Sequence, residues 1–199
     1  MTNDLSTLSF YAENPEEYAR KAPKGDFLEK RSAFMSRVVP GSKILELGCG
    51  GGHDALAFIQ AGFDVTLLDG SHELAALAQV RAGREVLVRD FSEIDFSNEF
   101  YAVWASASLL HVPSIKLPLV LGLIFKSLRQ DGVFTASFKE GKEDWVDEFG
   151  RRFCGMDSDK LKTLLQIAGF QVEPVEIVEG FGSDLKPTRW IWVHAIRNN

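Results

Sequence analysis

From Lys43 onward, short apolar runs alternate with longer stretches in which apolar residues recur every three or four positions. The first pattern suits buried strands and the second amphipathic helices. Strands are predicted over 44–47, 65–68, 86–88, 102–105 and 133–137, and helices over 53–61, 73–82 and 117–128, with Gly62, Gly83 and Gly132 set to stop them. Upstream, a helical region over 15–39 ends at Pro40-Gly41 and has Tyr11 and Tyr18 near its start; such a segment can serve as a lid. Downstream, an irregular charged stretch over 139–152 precedes a helix over 159–168 that Gly169 stops. Extended segments over 172–178 and 189–196 follow, joined by a turn-rich connection over 179–187, and read as an antiparallel pair. Alternating strands and helices of this length make a mostly parallel sheet covered on both faces.

At 199 residues the chain fits one α/β domain, with residues 1–40 as the lid region and 41–199 as a Rossmann-like core. Its 45% hydrophobic and 25% charged residues are those of an ordinary globular enzyme, and no apolar run approaches the ~20 residues of a membrane span. The start of the chain lacks the basic and apolar regions of a secretory signal, which places the protein in the cytoplasm, where Cys49 and Cys154 stay reduced. Net charge is −6, and the basic residues are scattered apart from Lys30-Arg31 and Arg151-Arg152, so a nucleic-acid partner is not expected. His53, His72, His111, His194 and the cysteines have no metal-ligand spacing.

The segment with most chemistry is Ile44-Leu45-Glu46-Leu47-Gly48-Cys49-Gly50-Gly51-Gly52-His53-Asp54, a strand that runs into glycines and then a helix. Glycines there permit a tight turn and let a ligand approach the main chain, while the helix start offers N–H groups to an anion. Gly50-Gly51-Gly52-His53-Asp54-Ala55 also fits the dinucleotide pattern G-x-G-x-x-A, with Asp69 about 20 residues on as a ribose-binding acid. A nicotinamide-dependent oxidoreductase is therefore one reading. Glu46 at the strand's end, the second acid Asp90 before Phe91, and the lack of chain for a substrate domain favour a methyl donor instead.

Glu46-Leu47-Gly48-Cys49-Gly50-Gly51-Gly52 resembles the first motif of class I S-adenosylmethionine-dependent methyltransferases. The segments 104–113, 137–141 and 189–192 resemble a branch of small bacterial methyltransferases related to the tellurite-resistance enzymes. The resemblance implies a doubly wound mixed sheet of about seven strands with an antiparallel C-terminal strand, and S-adenosylmethionine as cofactor. It also implies that Glu46, Gly48, Cys49 and Gly50 hold the methionine part of the donor, that Asp69 grips both ribose hydroxyls, and that Asp90 with Phe91 meets the adenine. Gly70, Ser71 and Ser106 add contacts. His53 stands where that branch often has arginine, so a contact from it to the donor carboxylate would depend on pH; alternatively it caps the helix or faces solvent.

Methyl transfer from a sulfonium needs mainly alignment and exclusion of water, and a base is optional. His111, after the fourth strand, is the candidate base; the alternative is a structural histidine that orders the 108–113 loop. Tyr11 and Tyr18 could close over the donor. Lys139, Arg152, Arg189 and Trp190 come from elements expected to converge above the sheet, where they would meet an anionic or planar small-molecule acceptor. Trp104 reads as packing. A noncatalytic donor-binding module remains the third reading. The protein is expected to act as a monomer or as a homodimer formed through the C-terminal strand edge and Trp192.

Overall fold

The computed structural model describes residues 5–21 and 23–198. Its core is an eight-stranded sheet built on β1 (Lys43–Leu47), β2 (Asp64–Asp69), β3 (Val86–Val88), β4 (Phe100–Ala105) and β5 (Leu128–Lys139). These five strands are parallel to their neighbours, and β5 then pairs antiparallel with the long terminal strand β10 (Pro187–Arg197). A short hairpin of β6 (Trp145–Val146) and β7 (Arg152–Phe153) forms a separate two-stranded sheet. On its other side β10 carries both β8 (Phe170–Val172) and β9 (Glu176–Phe181). The sheet order is β3-β2-β1-β4-β5-β10-β8.

Strand order reverses between β1 and β4, where right-handed crossovers send the helices to opposite faces. Accordingly α4 (His53–Gln60) packs against α5 (His72–Ala82), and α6 (Leu117–Ser127) against α7 (Ser158–Ile167). Local chemistry sets the helix ends. Ser71 caps α5 by accepting from the Leu74 N–H at 3.2 Å, and Gly83 ends it in the left-handed region at φ 63°. Asp157 caps α7 in the same way by accepting from the Lys160 N–H at 2.8 Å.

Three expectations change. The N-terminal region is three helices, α1 (Leu5–Glu13), α2 (Pro15–Ala19) and α3 (Asp26–Ser36), so Tyr11 belongs to a helix that begins before the predicted segment. Gly132 does not stop α6: that helix ends at Ser127, β5 begins at once with buried Leu128 opposite Phe100, and the left-handed residue is Asp131 at φ 60°. The terminal strand is not an edge, because β5 covers one side of it and β8 and β9 the other, and Trp192 is 1% exposed. Its ring lies 5.6 Å from that of Trp104 and 5.1 Å from that of Phe27, so it serves the core and offers nothing to a second subunit. Phe34 of α3 completes this cluster against Trp104 and Phe58, burial that is worth roughly 1.5–3 kcal/mol per large side chain. Among the described residues no helix is long and apolar enough to cross a membrane.

Candidate functional site

The turn between β1 and α4 can be built only with glycine at several positions. Gly48, Gly50 and Gly52 all have positive φ, at 71°, 52° and 76°. A Cβ on Gly48 would stand 2.4 Å from the Cβ of Ser108, and one on Gly52 would stand 2.9 Å from the Cα of Ala78. The turn thus lies directly on the β4 loop and on α5. The Gly48 and Cys49 N–H groups donate to the Leu68 carbonyl, tying the turn to the end of β2.

Asp69, at the carboxyl end of β2, connects two segments. One oxygen accepts from the Gly50 N–H at 2.7 Å, and the other from the Ser71 N–H at 2.9 Å. Burial raises its carboxyl above the ordinary range, against the opposing effect of the Ser71, Gly50 and Gly70 N–H groups. Glu46, 3% exposed, holds a carboxylate oxygen with no hydrogen-bond partner. Burial, then the nearby Asp54 and Asp69, push its carboxyl well up, and Arg31 partly offsets them. Asp54 itself is satisfied, accepting from Arg31 at 2.9 Å and from the Trp104 indole N–H at 3.0 Å. Burial also raises the Cys49 thiol.

A cleft lies above these strand ends. Gly48, Gly50, Asp69, Gly70, Leu74, Phe91 and Ser108 form one part of its wall. Thr7, Leu8, Tyr11, Tyr18, Ala107 and His111 form the rest, so α1 and α2 cover it. Tyr11 and Tyr18 meet edge to face at 4.8 Å. The Tyr11 hydroxyl lies 2.8 Å from His111 Nε2, and His111 Nδ1 lies 2.6 Å from the Arg152 carbonyl oxygen. A carbonyl only accepts, so Nδ1 carries the proton and neutral His111 accepts from Tyr11 at Nε2. Burial is the main cause that lowers His111 to about 4, with Arg151 and Lys139 adding to it and the Arg152 carbonyl opposing. Burial likewise lifts the Tyr11 phenol well above its ordinary range.

Helix α1 is fastened to the 147–153 segment. Ser6 donates to the Gly150 carbonyl at 2.7 Å, and the Arg152 N–H donates to Thr7 Oγ1 at 2.9 Å. The Arg151 guanidinium lies 4.7 Å from the Phe10 ring centroid. Sequence reasoning named Arg152 and passed over Arg151, which is 2% exposed and paired with Asp147 at 2.7 Å. It also passed over Arg81, which donates to the carbonyls of Gly51 and Ala19 and locks the glycine turn to α2. Neither had a signal beyond being an arginine, because their partners are remote in sequence.

The other expected residues are distributed as follows. Phe91 lines the cleft, whereas Asp90 caps a 3-10 turn, accepting from Ser92 N–H at 2.8 Å, while Glu93 accepts from the Asp90 N–H. His53 Nε2 donates to the Ala19 carbonyl at 2.8 Å. Ser71 caps α5, and Ser106 stands one residue before the cleft-lining Ala107. Lys139 and Trp190 face each other in the β5–β10 register, and the Lys139 ammonium lies 4.4 Å from the Phe153 ring. Arg189 is surface-exposed and paired with Glu140 at 2.5 Å. Among the described residues no group of three His, Cys, Asp or Glu side chains could hold a metal ion.

Residues 44–132 match the family model described as Methyltransferase domain. That segment runs from β1 through the glycine turn, Asp69 and Asp90 to the start of β5, and so contains most of the cleft wall. The chain is 26% identical over 111 residues to an uncharacterized methyltransferase of Synechocystis sp., covering 55% of this chain and 52% of that one. It is 30% identical over 140 residues to a sterol methyltransferase-like protein of Botryococcus braunii, covering 62% of this chain and 33% of that one. The chain thus spans about half the length of the first relative and a third of the second. Among solved structures it superposes on the 1,6-didemethyltoxoflavin-N1-methyltransferase of Burkholderia thailandensis, with TM-score 0.77, 20% identity and coverage of 98% of this chain and 88% of that one. At that identity the likeness is one of fold.

Proposed function

We propose that this protein transfers the methyl group of S-adenosylmethionine to a small-molecule acceptor by direct displacement. The observation that carries the reading is the cleft over the glycine turn, inside the segment that matches the methyltransferase domain, with Asp69 held between the Gly50 and Ser71 N–H groups. The Burkholderia neighbour, which binds 1,6-didemethyltoxoflavin and S-adenosylhomocysteine, supports it.

The residues present fit the donor. Asp69 retains lone pairs on both oxygens for two vicinal ribose hydroxyls. The unpartnered oxygen of Glu46 supports a role toward the methionine end, with Gly48, Cys49 and Gly50 supplying main chain that no Cβ obstructs. We assign Phe91 to the adenine face, with Asp90, Gly70, Ser71 and Ser106 as further donor contacts; Phe91 and Gly70 line the cleft. The bound donor supplies a methyl group on a sulfonium leaving group. Tyr11 and Tyr18 close over that cation and exclude water. An acceptor that loses a proton delivers it to His111 Nε2, the ring's one acceptor site, once Tyr11 turns its hydroxyl away.

The finer resemblance, to the branch related to tellurite-resistance methyltransferases, is supported by the convergence of its three segments: 104–113 carries Ala107, Ser108 and His111, while 137–141 and 189–192 face each other in the β5–β10 register. We read the protein as a cytoplasmic monomer or homodimer. Incubation with methyl-labelled S-adenosylmethionine and a broad panel of small acceptors tests the reading: label should move to a small molecule with equal release of S-adenosylhomocysteine. A protein that binds the donor yet transfers to nothing would be a binding module.

A further inference from the structure

Two arginines near the cleft, Arg151 and Arg189, have partners outside it. Arg151 is held by Asp147 at 2.7 Å and by Ser183 Oγ at 2.7 Å, with Asp184 3.9 Å away. Arg189 points outward to Glu140. The Lys139 ammonium lies 4.4 Å from the Phe153 ring centroid, and the His111 ring centroid lies 4.8 Å from that of Phe153. Among the described residues that line the cleft, Asp69 alone carries a formal charge, and its place at the end of β2 is on the donor side. The part of the wall left for the acceptor is Thr7, Leu8, Ala107 and His111, beside the two tyrosines that face the donor cation. His111 stays neutral near pH 7 because its folded value lies far below that.

We infer that the acceptor is an uncharged molecule with an apolar body, bound between α1 and the turn after β4. This rests on the methyltransferase reading above. An anionic or cationic acceptor would lose its hydration against rings, methyl groups and hydroxyls with no counter-ion to replace the water, and unpaired charge is the costliest thing to bury. A neutral one loses little. The group transfer also balances without an added charge: the methyl–sulfur bond breaks as the methyl–acceptor bond forms, the positive charge passes from sulfur to the acceptor atom, and a proton then leaves to His111 and solvent. Of the anionic or planar acceptor that the sequence suggested, this reading keeps the planar alternative.

The test uses protein saturated with S-adenosylhomocysteine, whose binding is measured first on the same sample. Two matched sets of probes are then titrated: para-ethylphenol, para-hydroxyphenylpropionate and tyramine; and skatole, indolepropionate and tryptamine. Within at least one set the uncharged member should bind at least about tenfold more tightly than both charged members. Failure of the uncharged member to outbind both charged members in either set, or no binding by any probe, overturns the inference while leaving the methyltransferase reading intact. Carboxylate binding that disappears in Lys139→Met would transfer acceptor recognition to that ammonium. Failure of S-adenosylhomocysteine to bind would overturn both.

Discussion

Asp69 spans the glycine turn and the start of α5 with two short hydrogen bonds and has both oxygens at the cleft end of β2. Asp69→Ala is expected to remain folded and to lose donor affinity by about tenfold or more, the scale of one charged hydrogen bond, read by calorimetry. Unchanged affinity in a folded variant would remove it from the site. His111 gives a pH signature whose sign is fixed. Its folded value of about 4 lies below the unfolded 6.5, so the native state binds the proton less well. The associated stability is complete above pH 6.5 and is lost as pH falls from 6.5 toward 4, by at most about 3 kcal/mol. Glu46 and Asp69, both raised, act in the opposite sense: their buried charge costs stability at neutral pH and the cost is relieved on protonation. The difference between wild type and His111→Asn in urea unfolding at pH 7 and pH 4.5 isolates the histidine; wild type should lose more stability than the variant.

At the scale of elements, the glycine turn was readable because its constraint is local: a strand, positive-φ glycines and a helix are consecutive in the chain. Gly48→Ala and Gly52→Ala should each destabilise by more than Gly62→Ala, as all three require positive φ but only the first two bring a Cβ onto neighbouring atoms. The expected ordering is about 1 kcal/mol for Gly62 and roughly 2–4 kcal/mol for the others, measured by denaturant unfolding. Equal losses would remove the close approach from the account. The lid was less readable. A helical segment with tyrosines was foreseen, but the start of α1 and its seat on 147–153 depend on Ser6, Thr7 and Phe10 meeting residues some 140 positions away. Phe10→Ala should loosen α1, seen as faster amide exchange over 5–13 and faster donor release, with the sheet unaffected.

For the whole molecule, alternating strand and helix signals were enough to anticipate a mixed sheet, and the reversal at β1 and β4 puts the cleft where such sheets bind ligands. The terminal strand was misjudged as an edge because sequence patterning cannot tell which strands flank a given one. β10 has neighbours on both sides, and its buried Trp192 follows from that. Trp192→Ala should therefore cost about 3–5 kcal/mol of stability and leave the oligomeric state, read by sedimentation, unchanged. Of the expected cations Arg189 is paired with Glu140, and the unexpected Arg151 with Asp147, carboxylates that only the folded chain brings within reach. The most direct test of the account is calorimetric titration of the purified protein with S-adenosylmethionine, S-adenosylhomocysteine and NAD. The account predicts micromolar binding of the first two and none of NAD; binding of NAD alone would contradict it.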